Sequence, residues 1–132
     1  MRIAMIGLGR MGGDLTRRLL AGGHEVVVHD LDPAAVAALV EEGALGAGSL
    51  GELAAALEQP RVAWVMVPAA VTGRVVEAVA AEFDAGDVVI DGGNSNWNDD
   101  LVLAATLATR GIHLVDIGTS GGVHGRERGY CL

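Results

Sequence analysis

Met5-Ile6-Gly7-Leu8-Gly9-Arg10-Met11-Gly12 joins a short apolar run, Arg2 to Ile6, to a stretch from Gly13 to Leu20 whose apolar residues recur with helical spacing until Gly22-Gly23 stop them. A strand, a glycine turn and a helix in that order make an anion site. Gly7 suits the tight turn, Gly9 lets a backbone approach a pyrophosphate and Gly12 lets the helix pack on its strand, while the helix N-terminus supplies partial positive charge. A lone glycine triplet is weak evidence, but Asp30 lies eighteen residues beyond Gly12 at the tip of the next apolar run, near the ~20-residue offset of a ribose-binding acid. Gly7, Leu8, Gly9, Arg10, Met11, Gly12 and Asp30 are therefore expected to hold a dinucleotide.

Outward from this segment the alternation repeats. Glu25 to His29 predicts a second strand. Asp32-Pro33 offers an N-cap followed by proline at the first helical position, so the alanine-rich run to Glu42 predicts a helix closed by Gly43. Ser49-Leu50-Gly51-Glu52 has capping-box spacing and starts a helix that Pro60 ends. Arg61 to Val67 predicts a buried strand stopped by Pro68. A helix over Thr72 to Phe83, a strand over Val88 to Asp91, a helix over Trp97 to Arg110 and a strand over Ile112 to Ile117 follow. Strands and helices alternating at this spacing imply an α/β fold, a doubly wound parallel sheet covered on both faces in the Rossmann manner. Residues 1–132 are expected to form one dinucleotide-binding domain. The apolar turn-to-strand pattern at Tyr130-Cys131-Leu132 breaks off without capping or tail composition, so the chain is expected to be the front part of something larger, cut within or just after the loop that begins at Asp116.

Composition narrows the functional classes. Half the residues are apolar, yet only two tryptophans, one tyrosine and one phenylalanine are aromatic, as suits helices packed closely on a sheet. The apolar runs fall short of the ~18 residues of a membrane span. Met1-Arg2 leads directly into a strand, and no secretory leader is visible. A formal net charge of −8 argues against nucleic acid and anionic membrane as partners. The single cysteine, Cys131, rules out an internal disulfide and suits a reducing cytoplasm. No metal site is expected. All nine basic side chains are arginine, so a lysine base cannot come from these residues.

The far end of the chain carries a second kind of signal. Val67-Pro68-Ala69, Asp91-Gly92-Gly93-Asn94-Ser95 and Asp116 to Gly129 follow predicted strands, where ligands gather in open parallel sheets. In Thr119-Ser120-Gly121-Gly122 a serine hydroxyl and glycine amides can grip carboxylate or hydroxyl oxygens at a distance bulkier side chains would forbid. With GLGRMG, MVPA and ERGYCL, these segments resemble the β-hydroxyacid dehydrogenase superfamily, and DGGNS and SGG resemble its 6-phosphogluconate dehydrogenase branch in the short form. The resemblance covers essentially the whole chain.

That resemblance implies roles. Gly7 to Gly12 and Asp30 would hold the cofactor, Val67, Pro68 and Ala69 would line its path toward the nicotinamide, and Asn94 would touch both cofactor and sugar. Ser120, Gly121 and Gly122 would bind substrate. The family oxidises the 3-hydroxyl of 6-phosphogluconate by hydride transfer and releases carbon dioxide to give ribulose 5-phosphate, which needs a base and an acid. It places a lysine and a glutamate in those roles on a helix beyond the SGG loop, and its phosphate-gripping residues in a helical C-terminal domain. Residues 1–132 hold neither, so no catalytic residue is expected here and the chain alone is expected to be inactive. Asp30 with Leu31 beside it favours NAD over NADP, since a carboxylate repels a 2′-phosphate and leucine supplies no cation. The alternatives are another β-hydroxyacid dehydrogenase, such as a 3-hydroxyisobutyrate type, and a non-catalytic nucleotide-binding or interaction module. A serine-threonine pair is typical of the former where Gly92 to Ser95 stand here.

The remaining polar residues have bland expectations. His24, His29 and His113 read as turn or strand-end residues, and Asp99 and Asp100 as first-turn acids of a helix. His124 stands in the substrate loop. Trp64 reads as core, Trp97 as a possible shield for the cofactor, and Cys131 as a small packed side chain. Val115, Ile117, Val123 and Leu132 are expected to form an uncovered apolar edge, and the chain is expected to form a homodimer through it.

Overall fold

Three consecutive valines, Val26, Val27 and Val28, are fully buried, although the side chains of a strand alternate between its two faces. Such a strand must be covered on both sides. The computed structural model describes residues 1–132, with the side chain of Val123 outside the described part, and shows what covers it. Strands β1 (Arg2–Ile6), β2 (Glu25–His29), β3 (Leu45–Gly46), β4 (Val62–Val65), β5 (Val88–Asp91) and β6 (His113–Asp116) form one parallel sheet in the order β3-β2-β1-β4-β5-β6. On one face Ile3, Met5, Val26, Val28 and Trp64 pack with Leu15 and Leu39, which come from helices α1 (Arg10–Ala21) and α2 (Pro33–Glu41). On the other, Ala4, Ile6, Val27, Ala63, Val65 and Val89 pack with residues of α3 (Leu50–Ala55), α4 (Ala69–Ala81) and α5 (Trp97–Ala108), with Phe83 buried among them.

The expected strands and helices are present, with shifted ends. Helix α1 starts at Arg10 rather than Gly13, because the glycine turn runs straight into it, and α4 starts at Ala69, directly behind Pro68. Three helix starts are side-chain capped: Asp32 accepts from the Ala34 N–H at 2.9 Å, Ser49 from Glu52 at 3.1 Å and Asn96 from Asn98 at 3.1 Å. Glu52 reaches back to the Gly48 N–H at 2.7 Å, one residue before the cap, which completes a variant of the capping box. The two-residue strand β3 has no counterpart in the sequence pattern, being too short to show a period. After β6 the chain makes a short 3-10 turn (Gly122–His124) and a single-turn helix α6 (Gly125–Arg128). It then folds back on itself: Ser120 and Cys131 exchange two backbone hydrogen bonds of 2.9 Å, and Arg18 of α1 donates to the Arg126 carbonyl at 2.9 Å.

This return corrects two expectations. Cys131 is exposed rather than packed, since it is tied down through its backbone at the surface. Ile117 is half-buried against the cluster around Trp64, so the uncovered apolar edge is narrower than expected; Val115 and Leu132 are exposed, and Val123 lies outside the described residues. No helix among the described residues is long and apolar enough to cross a membrane.

Candidate functional site

The sheet register places the site before any side chain does. Ile6 stands level with His29 and Val65, Val65 with Asp91, and Asp91 with Asp116. The next rung is closed by backbone bonds from Gly7 to His29 (3.0 Å), Met66 to Ile6 (2.7 Å), Gly92 to Val65 (2.9 Å) and Ile117 to Asp91 (2.8 Å). The glycine turn, Asp30, the 66–68 turn, the 92–95 loop and the 118–122 loop all leave the sheet from this edge. Strand order reverses between β1 and β4, and the crevice opens there.

Each glycine of the fingerprint has a distinct job. Gly7 has φ +89°, and a side chain there would come within 2.5 Å of the Met66 carbonyl. At Gly12 a side chain would overlap the Gly7 carbonyl, so this glycine sets how closely α1 lies on the turn. Gly9 has φ −58° and ψ −174°, ordinary extended backbone, and faces open space out to 4 Å. Gly7 thus makes the tight turn, as expected, while Gly9 keeps a space clear. Helix α1 begins at that space with no capping side chain, unlike α2, α3 and α5, and with no acid in its first turn. Neither a capping side chain nor a first-turn acid offsets the positive end of its dipole, which suits an anion there.

Asp30 faces the same cleft. Its two carboxylate oxygens accept the Leu8 N–H at 2.6 Å and the Asp32 N–H at 2.8 Å, which fixes the group at the tip of β2 and leaves lone pairs on both oxygens. Leu31 beside it is 96% exposed and Arg10 is exposed at the start of α1. A cavity of about 350 Å³ runs from Gly7, Gly9 and Asp30 to Val67 and Pro68. Leu50, Met66, Val71 and Val75 complete its apolar wall. Met66 belongs to the MVPA segment, but the sequence pattern did not mark Leu50, Val71 and Val75 as site residues, because apolar helix residues look alike until the cleft exists. Leu8 is buried, Met11 is half-buried, and Ala69 lines a neighbouring hollow between α4 and α5.

The 92–95 loop is held by close backbone approach. A side chain at Gly93 would overlap the Thr72 hydroxyl and approach the Val67 carbonyl to 2.8 Å; one at Gly92 would overlap the Trp64 indole nitrogen. The buried Asp91 accepts the Gly93 N–H at 2.8 Å and the Ser95 hydroxyl at 2.7 Å. Between those two anchors Asn94 adopts φ +53°, and its amide oxygen accepts the Thr119 N–H at 3.2 Å. Asn94 and the Ser120-Gly121-Gly122 turn are thereby joined. Gly121 (φ +141°) and Gly122 (φ +50°) both take conformations that favour glycine, and a side chain at Gly125 would overlap the Tyr130 ring beneath the loop. His124 is exposed on the 3-10 turn.

Asp99 and Asp100 stand in the first turn of α5, as expected. Asp100 is in addition nearly buried: it is 6% exposed and meets the Ser95 hydroxyl at 3.0 and 3.2 Å. Burial pushes its carboxyl above the ordinary aspartate value, and the charges of Asp91 and Asp116 add to that, against the Ser95 hydrogen bond. Trp97 is 62% exposed and borders a hollow with Leu114 and Asp116, away from the cleft.

A doubly wound sheet with an uncapped helix at a glycine turn, and an acid at the tip of the next strand, defines the class of dinucleotide-binding domains. The chain belongs to the family of NAD-binding domains of 6-phosphogluconate dehydrogenase, whose model matches residues 2–132. The NAD-dependent, decarboxylating 6-phosphogluconate dehydrogenase of Haloferax volcanii is 40% identical, the match covering 100% of this chain and 44% of that protein. A solved 3-hydroxyisobutyrate dehydrogenase of Mycobacterium tuberculosis with L-serine is 30% identical with a TM-score of 0.82, covering 94% of this chain and 42% of that one. The 6-phosphogluconate dehydrogenase of Plasmodium falciparum superposes with a TM-score of 0.89 at 22% identity, over 98% of this chain and 29% of that one, and shows the fold alone. The chain spans less than half the length of these relatives.

Proposed function

We propose that residues 1–132 are the cofactor domain of an NAD-linked 6-phosphogluconate dehydrogenase, with the dinucleotide lying from Asp30 across the clear space at Gly9 to Val67, Pro68 and Ala69. That clear space, at the uncapped start of α1 and beside Asp30, is the observation that carries the cofactor assignment. The pyrophosphate takes the amides of Arg10 to Gly12, and the adenosine ribose hydroxyls donate to the free lone pairs of Asp30. On the substrate side Asn94 bridges cofactor and sugar, and Ser120, Gly121 and Gly122 receive the carboxylate or hydroxyls. Its bond to Thr119 supports this, because it ties the two loops together. The lysine and glutamate that the resemblance implies for the acid–base step lie outside residues 1–132, so placing the cofactor for hydride transfer is the part of the reaction that these residues support. The 3-hydroxyisobutyrate dehydrogenase likeness keeps a smaller hydroxy acid as the second reading.

Cofactor choice rests on Asp30. Calorimetry with both dinucleotides is expected to show tighter binding of NAD, because a 2′-phosphate would meet the Asp30 carboxylate with the exposed Leu31 beside it. Asp30→Ala should narrow the gap by about 1–2 kcal/mol. Equal or tighter NADP binding by the unaltered chain would remove this part of the proposal.

A further inference from the structure

The Ser95 hydroxyl has one hydrogen and two carboxylates within reach. It stands 2.7 Å from Asp91 and 3.0 and 3.2 Å from the two oxygens of Asp100. Asp91 is fully buried and Asp100 nearly so. If both were ionised, one of these contacts would set a hydroxyl lone pair against an anionic oxygen away from water, a costly arrangement. A single added proton resolves it: a protonated Asp100 donates to the Ser95 oxygen, and Ser95 donates to Asp91, which also accepts the Gly93 N–H.

We propose that a proton retained on Asp100 locks the 92–96 loop, and with it Asn94, onto Thr119, making Asp100 a positioning residue whose deprotonation loosens the tie between the two ligand loops. The surroundings agree with the proton accounting. Asp91 faces Asp100 from β5, Asp116 from β6, and Asp99 lies beside it on α5. On the α4 side, Arg74 and Glu77 border the same hollow, and Arg74 is the cation of this set. Burial together with Asp91 and Asp116 holds the Asp100 carboxyl above its ordinary value, outweighing the Ser95 bond that lowers it. A carboxyl raised on folding stabilises the fold in its protonated form. The lock is therefore complete below the ordinary aspartate value of about 4 and is lost as pH rises through the higher folded value.

The consequence for ligands rests on assigning Asn94 to the cofactor and substrate cleft; the lock itself does not. Carbon and nitrogen NMR of the full 132-residue chain tests it. The Asp100 carboxyl should titrate above the ordinary aspartate range, and the Gly93 and Thr119 amide signals should move with the same midpoint. Asp100→Asn, whose amide still donates to Ser95, should lose the Thr119 movement. Ser95→Ala should leave Asp100 titrating while Thr119 no longer follows, and it carries the test should the asparagine variant misfold. An Asp100 that titrates within or below the ordinary range, or a Thr119 amide that stays still through that titration, overturns the proposal. A Thr119 signal that moves while NAD affinity stays the same across the transition upholds the lock and removes Asn94 from the ligand site.

Discussion

Replacing Gly9 by valine is expected to weaken dinucleotide binding by about 100-fold or more while the domain stays folded. The backbone at Gly9 is one that any residue adopts, and beyond its two chain neighbours no atom lies within 4 Å of the added carbon. The fold therefore loses little more than a favourable N-cap, on the order of 1 kcal/mol. The new side chain instead fills the space where a pyrophosphate meets the first amides of α1. Gly12→Ala makes the contrasting case: its methyl group overlaps the Gly7 carbonyl, a backbone atom with no freedom to move aside, and destabilisation of several kcal/mol follows. Circular dichroism with cofactor titration separates the two. Normal binding by Gly9→Val would reduce the glycine triplet to a turn.

The purified chain is expected to show no measurable oxidation of 6-phosphogluconate with either dinucleotide. The sequence contains no lysine, and the acid–base pair that the resemblance implies lies outside residues 1–132. Loss of a positioned acid–base group commonly removes about 10²–10⁴-fold in rate, before any lost grip on the phosphate is counted. Following reduced dinucleotide by absorbance while measuring cofactor affinity on the same sample checks this, since binding without turnover is the expected pair of results. Robust turnover would overturn the expectation and direct attention to His124, exposed on the 3-10 turn beside the Ser120-Gly121-Gly122 loop.

Much of this architecture was legible in one dimension because its causes are local. Apolar strands ended by glycine or proline, the caps at Asp32 and Ser49, and the spacing from Gly12 to Asp30 all depend on residues near each other in the chain. Cover on both faces of the sheet followed from the alternation of strands and helices, and the full burial of Val26, Val27 and Val28 agrees with it. Strand β3 escaped because two residues show no period, and Cys131 was misplaced because its partner, Ser120, lies eleven residues away and binds it through the backbone.

The sequence by itself determined the alternation of strands and helices, the parallel sheet, and the glycine and acid residues at one of its edges. Only the tertiary structure decided which glycine bears a positive φ and which keeps a space clear, because that depends on where the Met66 carbonyl lies. Only it joined Asn94 to Thr119, and Asp91 and Asp100 to a single serine hydroxyl. The first joins loops 25 residues apart; the second joins near neighbours in the chain, but the burial that raises the Asp100 carboxyl exists only once β5, β6, α4 and α5 have closed around it.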